Sequence, residues 1–226
     1  MNFRLPLAQP LVLAAGTGSR FGGGGQKLTA ELAGRPLTEH LFRTLEAASQ
    51  RRLVAPALVV LRPEDQALAV LAARHGLDVV RVASQALSVT LSAGVRARPG
   101  AAAWLMLLAD QPFSTASHWR RLIAAWQGGA RAVFSDGGNG PQPPALFAQE
   151  LRAELLSLTG DRGAGQLIGR LRPPPEVVRF PPGIWMKDVD TAADLLDLER
   201  EVRARRPPRR RGQGGASGRG PGSGGS

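Results

Sequence analysis

Residues 10–27 read PLVLAAGTGSRFGGGGQK and hold the residue types that an anionic ligand needs. Leu11, Val12 and Leu13 form an apolar run with nothing polar inside it, the pattern of a short buried strand. Side chains shrink at Ala14 and Ala15, and glycines follow at Gly16, Gly18 and positions 22–25. Small residues let a backbone bend and approach a ligand closely. Consecutive free N–H groups in such a turn hold an anion without any side chain. Arg20 and Lys27 add two cations to the same loop. A strand that runs into a basic, glycine-rich turn suits a triphosphate.

A carboxylate stands at the end of a second apolar run. Residues 103–108, AWLMLL, are the most apolar stretch of the chain and predict a central strand. Asp110 follows at its C-terminal end, where open α/β sheets bind ligands. Pro112 delays the next helix and leaves Asp110 on the rim.

The known phosphate loops do not fit this loop. A P-loop needs G-x-x-x-x-G-K-[ST], but Lys27 follows Gln26 and precedes Leu28. A dinucleotide fingerprint needs a third glycine at position 21, which is Phe21.

The elements that must position these residues follow from periodicity. Further strands are predicted over 57–61, 78–82, 130–135 and 177–180. Helices are predicted over 37–48, 63–75, 114–126 and 149–158, the second stopping at Gly76. In the helical stretch 114–126, Trp119, Leu122, Ile123 and Trp126 mark a core face. Ser88 is a candidate N-cap for a helix through Val95. Residues 136–144, DGGNGPQPP, are expected to be a turn-rich loop. Thr191 and Asp194 have the spacing of a capping box. Strands and helices alternate, so the expected fold is a single three-layer α/β/α domain, Rossmann-like, with a mainly parallel sheet. It should span residues 1–203, with a disordered basic tail rich in Gly, Arg and Pro over 204–226.

Composition narrows the chemistry. The chain has no cysteine, which excludes disulfides, thiolate metal sites and cysteine nucleophiles. His40, His75 and His118 lie far apart, and each is expected to be satisfied or solvated. The net charge of +11 is concentrated at the C-terminus, where seven arginines lie from Arg203 onward. Of the 29 basic residues, 22 remain without these seven, against 18 acidic ones, or +4. That distribution argues against a nucleic-acid partner for the body of the chain. No run is long enough to span a membrane, and a cytoplasmic location is expected.

Taken together, the motifs resemble the MobA-like nucleotidyltransferases. The match is Leu13-Ala14-Ala15-Gly16 with Arg20, Gly22 and Lys27, then Ala109-Asp110-Gln111-Pro112-Phe113. Thr159-Gly160-Asp161 with Gly163-Ala164 and Asp188-Val189-Asp190-Thr191 complete it, over roughly residues 10–200. The resemblance implies that Asp110 and Asp190 bind Mg²⁺, and that Ser88 and Thr90 help to select the base. It implies that Arg20, Lys27 and Asp110 are the catalytic residues. Leu13, Ala14, Ala15, Gly16, Gly18, Arg20, Lys27, Ser88 and Thr90 would hold the nucleotide. Within the family, Ala15 in an LAAG motif goes with CTP rather than GTP, which is the molybdenum cofactor cytidylyltransferase (MocA) type. The implied reaction moves CMP from CTP to the phosphate of molybdenum-molybdopterin and releases pyrophosphate. A recipient molybdoenzyme or its maturation chaperone is an implied partner. A GTP-using guanylyltransferase, a cytidylyltransferase for a sugar or polyol phosphate, and a non-catalytic nucleotide-binding cofactor chaperone stand as alternatives.

Overall fold

The computed structural model of the protein describes residues 5–16, 21, 27–84, 86–161 and 163–205. The tail read from the sequence therefore lies outside the described residues from position 206 onward.

Strand β1 (Gln9–Leu13) is buried along its whole length. It pairs in parallel with β4 (Leu58–Leu61) on one side and β6 (Ala103–Leu108) on the other. A short antiparallel hairpin, β2 (Glu31–Leu32) and β3 (Arg35–Pro36), stands apart from the main sheet. Strands β5 (Asp78–Arg81), β7 (Ala132–Asp136), β8 (Pro141–Ala148) and β9 (Glu176–Arg179) complete a seven-stranded sheet. Its order is β5-β4-β1-β6-β8-β7-β9. Strand β8 alone runs antiparallel to its neighbours β6 and β7.

The expected loop at 136–144 is thus a tight hairpin whose second half is strand. Asp136 accepts hydrogen bonds from Gly138 N (2.7 Å) and Gly140 N (3.0 Å), which turns the chain within four residues. Gly138 and Gly140 have φ of +109° and +91°, a region that suits glycine. The prolines after the turn enter β8 where its register against β7 shifts beside Phe134 and Ser135. An irregularity of that kind accommodates residues that lack an N–H.

The described residues form six α-helices: α1 (Leu37–Gln50), α2 (Gln66–Arg74), α3 (Leu87–Ala97), α4 (Ala116–Gln127), α5 (Arg152–Leu156) and α6 (Ala192–Arg205). Strand alternation feeds two cores. Val12, Leu105 and Leu107 pack with Phe42 of α1, Leu68 of α2 and Trp119 of α4. Leu11, Trp104 and Met106 face the other way and pack with Leu91 of α3 and Leu155 of α5. A strand buried on both faces is nearly continuously apolar, which is why these strands read as runs; the buried exception in β1, Gln9, donates to Pro56 O at 2.7 Å. Trp119 is fully buried and its indole donates to Ser114 Oγ at 2.8 Å. Truncating it to Ala would cost about 3–5 kcal/mol.

Two local expectations change. Helix α3 begins at Leu87, with Ala86 in the cap position and no side-chain cap. Ser88 therefore lies inside the first turn, because Leu87 already buries apolar surface and draws the helix upstream. The hydroxyl of Ser88 is buried without a partner among the described residues. His118 is buried, and neither ring nitrogen finds a partner among the described residues. Its ring lies 3.7 Å from that of Phe180, so it packs as an aromatic body. His40 and His75 are satisfied, by the Leu32 carbonyl and by Glu46, each at 2.8 Å.

Candidate active site

The site forms at the C-terminal ends of β1 and β6. Parallel register sets Leu13 beside Leu108, and Ala109 N donates to Leu13 O at 3.2 Å. Ala14 N donates to Val60 O at 2.8 Å, so the motif leaves the sheet from a fixed point. The Leu13–Gly16 corner and Asp110 are neighbours for this reason, although nearly a hundred residues separate them.

Lys27 begins a single 3₁₀ turn, Lys27–Thr29. Thr38 anchors that turn: its hydroxyl lies 2.8 Å from Leu28 O and 3.4 Å from Ala109 O. The segment before α6 is pinned from the other side, where Val189 N donates to Asp110 O at 3.1 Å. Leu32, Leu37, Val189 and Leu198 then close a small apolar cluster, with Leu28 and Phe113 against it. That cluster clamps together the three segments that carry Lys27, Asp110 and Asp190.

The ammonium of Lys27 donates to Asp110 Oδ2 at 2.7 Å and to Asp190 Oδ1 at 3.1 Å. Lys27 is buried, and burial opposes its charge. The two carboxylates, Asp110 foremost, outweigh that and hold its pKa above the ordinary lysine value. Asp188 is a third carboxylate nearby. Burial, and then the charge of Asp110, raise its pKa to about 6, against a hydrogen bond from Gln111 that works the other way. Its sequence signal was the first aspartate of the D-V-D motif, to which no role had been attached. The capping box forms as read: Asp194 Oδ2 accepts from Thr191 N at 2.7 Å and from Asp190 N at 3.0 Å. Thr191 Oγ1 accepts in return from Asp194 N at 3.1 Å. The box thereby fixes the backbone that presents Asp190.

A cavity of about 190 Å³ lies over this corner. Leu13, Ala14, Ala15, Gly16, Lys27, Thr90 and Asp110 line it, so the fold brings seven of the expected residues to one place. Ala109 of the Asp110 motif lines it too, as do Leu28, Leu87 and Leu108; as plain apolar residues these three carry no sequence signal for a site. Ser88 does not. Its N–H donates to Gly160 O at 3.3 Å, which ties α3 to the Thr159–Ala164 motif. Gly163 sits under Leu87 so closely that a Cβ would lie 2.6 Å from its Cδ2. Gly18 and Arg20 lie outside the described residues. A second cavity of about 500 Å³ is bounded by Asp188, Asp190, Asn139 and Gln142. The ion pairs of Lys27 therefore join the walls of the two cavities.

The donor set fits a divalent cation. Two carboxylates already share one positive charge, and Asp110 Oδ1 is buried without a partner among the described residues. No cluster of three or more His, Asp or Glu with metal-binding geometry occurs among the described residues. One or two carboxylates completed by substrate oxygens is the usual set for Mg²⁺.

A family model for the MobA-like NTP transferase domain matches residues 10–174. The chain belongs to this family. Family members are nucleotidyltransferases, and the seven-stranded α/β architecture agrees. The chain is 35% identical over 129 residues to the bifunctional protein GlmU of Burkholderia ambifaria. That match covers 55% of this chain but spans only about a quarter (27%) of that relative's length. Among solved structures, Rv0371c of Mycobacterium tuberculosis shares 26% identity at a TM-score of 0.70, covering 86% of this chain and 98% of that one. The same mycobacterial protein is also known as a complex with manganese. Molybdopterin-guanine dinucleotide biosynthesis protein A of Archaeoglobus fulgidus shares the fold, at 22% identity and a TM-score of 0.59, over 87% of this chain and 99% of that one. No helix among the described residues of this MobA-like chain is long and apolar enough to cross a membrane.

Proposed function

We propose that this MobA-like transferase is a molybdenum cofactor cytidylyltransferase. It would move CMP from CTP to the phosphate of molybdenum-molybdopterin, forming molybdopterin cytosine dinucleotide and pyrophosphate. The observation that carries the reading is the single cavity that joins the Leu13–Gly16 corner to Lys27 and Asp110. A base and sugar seated there would bring their triphosphate to the buried lysine.

An oxygen of the acceptor phosphate attacks the α-phosphorus. The bond to the β-phosphate oxygen breaks, and pyrophosphate leaves with the electron pair. Catalysis of such a transfer is mostly positioning and charge stabilisation. Lys27, kept protonated by its two carboxylates, offers positive charge to the phosphate oxygens. Arg20 would add a second cation. Backbone N–H groups of the glycine-rich turn would cradle the phosphates. Mg²⁺ held by Asp110 and Asp190 would neutralise triphosphate charge. Ala15 is buried in the cavity wall, and its methyl takes space that a purine would need. Asp188 and Asp190 make the wall of the larger cavity acidic. An anionic acceptor approaching through it therefore depends on positive charge at the Lys27 junction.

The test is pyrophosphate release in Mg²⁺ with molybdenum cofactor as acceptor, comparing CTP with GTP. CTP-selective turnover is expected. Turnover with GTP alone would assign the chain to the guanylyl branch, the activity named for the Archaeoglobus relative. Nucleotide binding without pyrophosphate release would leave a cofactor chaperone.

A further inference from the structure

A cavity of about 850 Å³ shares no lining residue with the two around Lys27 and Asp190. Its walls are the outer side of α1, the segment 112–116 that leads into α4, the turn at Ile184 and Trp185, and the last residue of α6. Six arginines line it: Arg35, Arg43, Arg51, Arg52, Arg120 and Arg205. No Asp or Glu does, among the described residues.

What sets these arginines apart is convergence on one cavity without a counter-ion; other described arginines without a carboxylate, such as Arg74, Arg81 and Arg121, line none of the three cavities. Arg62, Arg98, Arg131, Arg200 and Arg203 each meet a carboxylate. Among the described residues, none of the six in the groove has a carboxylate within ion-pairing distance. Arg51 and Arg52 follow the C-terminal end of α1, whose partial negative charge offsets part of theirs. Arg35, Arg43 and Arg120 do not stand at a helix C-terminus, and the carboxylates nearest Arg43 along α1, Glu39 and Glu46, turn to His75.

The backbone adds to the same field. Helix α4 points its N-terminus into the groove through Ser114, Thr115 and Ala116, and its first turn has no acidic residue. The Thr115 hydroxyl satisfies only the N–H of His118, and a helix start with free N–H groups favours an anion. Phe113 and Trp185 supply flat apolar surface beside the charges. Six charges converging without a counter-ion repel one another, and an anion relieves that repulsion. Guanidinium forks match phosphate and carboxylate oxygens in pairs, but the volume selects the size class, since small-molecule sites run to about 300–1,000 Å³. The chain's own continuation cannot serve, because after Arg205 it reads RPPRRRG and adds only positive charge.

We propose that this groove is a second ligand site, separate from the transferase site, that takes a small, multiply phosphorylated molecule. The reading is independent of the nucleotide assigned to the Lys27 site.

The experiment is calorimetric titration of the full chain with inorganic tripolyphosphate at about 150 mM salt, without divalent metal. Three proteins are compared: wild type, Lys27→Met and the double variant Arg43→Ala/Arg120→Ala. Both arginines are exposed, so the double variant is expected to keep its wild-type melting temperature. Saturable binding that survives Lys27→Met and weakens at least tenfold in the double variant is the expected result. If Lys27→Met does not fold, the wild type should show one more tripolyphosphate site than the double variant. Equal binding by wild type and the double variant would overturn the proposal. So would a poly-glutamate peptide that binds in an Arg43- and Arg120-dependent way where tripolyphosphate does not, since the groove would then fit an acidic protein surface.

Discussion

The Lys27 ammonium lies 2.7 Å from Asp110 Oδ2, although the two residues are 83 positions apart. The contact joins the glycine-rich loop to the central strand, and it makes Asp110 testable without disturbing the core. Asp110→Asn keeps the shape and removes the charge. Pyrophosphate release should fall by about a hundredfold or more, by the usual size of a lost electrostatic group. The melting temperature should change by only a few degrees. Wild-type turnover in this variant would remove Asp110 from the mechanism.

Lys27→Met tests what the ammonium does in the resting protein. Without it, Asp110, Asp188 and Asp190 lose the positive charge that Lys27 places among them. The loss at pH 7 should be about 1–3 kcal/mol, less than for a fully buried pair because Asp190 is partly exposed. Protonation relieves like-charge repulsion, so the deficit should shrink as pH falls towards 5. Millimolar Mg²⁺ or Mn²⁺ should also raise the melting temperature of the variant more than that of wild type. A deficit independent of pH and metal would argue against a shared carboxylate site.

Ala15→Gly removes one methyl from the cavity wall. Discrimination by a single methyl group in a pocket is worth about 1–3 kcal/mol. The ratio of kcat/KM for CTP over GTP should therefore drop by roughly tenfold or more. An unchanged ratio would show that base selection lies elsewhere on the wall, with Leu87 and Thr90 the next residues to vary.

His118 gives a pH dependence whose sign is fixed by burial. Burial, and then the charge of Arg121, lower its pKa from 6.5 to about 4. The unfolded chain takes up this proton near pH 6.5 and the folded ring resists it until about 4. Its contribution is complete above pH 6.5 and is lost as pH falls through that window. Asp188, raised to about 6, acts in the opposite sense, because its folded form takes up a proton first as pH falls. Comparison of His118→Leu with wild type cancels the Asp188 effect. The variant should gain stability relative to wild type as pH falls from 7 to 4, on the order of 3 kcal/mol at the acid end. Urea unfolding at several pH values measures it, and parallel curves would refute it.

Asp194→Ala tests the capping box as a positioning device. The box is worth about 1 kcal/mol by the usual cost of a lost cap. Because Asp194 also holds Asp190 N–H, kcat should fall along with stability. Asp194→Asn should restore part of both, since an amide oxygen still accepts.

Much of the fold was legible because its signals are local. The runs at Leu11–Leu13 and 103–108 announced buried strands, and Thr191 with Asp194 announced the start of α6. The Leu13–Gly16 corner and Asp110 were recognisable because residue type and position along a strand are both written in the chain. Ser88 was misread because a hydroxyl near the start of an apolar period serves equally as a cap or as a first-turn residue. Only packing against Leu87 separates the two. Strand β8 was hidden for a related reason: DGGNGPQPP has the composition of a loop, and its second half becomes strand only because β6 and β7 leave a slot one strand wide. Tertiary structure alone sets the distance from Lys27 to Asp110 and Asp190, the raised pKa of Asp188 and the convergence of six arginines beside α1. Each depends on segments far apart in the chain meeting at one strand end or helix face. The order of residues specifies chemical groups, and burial and neighbouring charge then give those groups their strength.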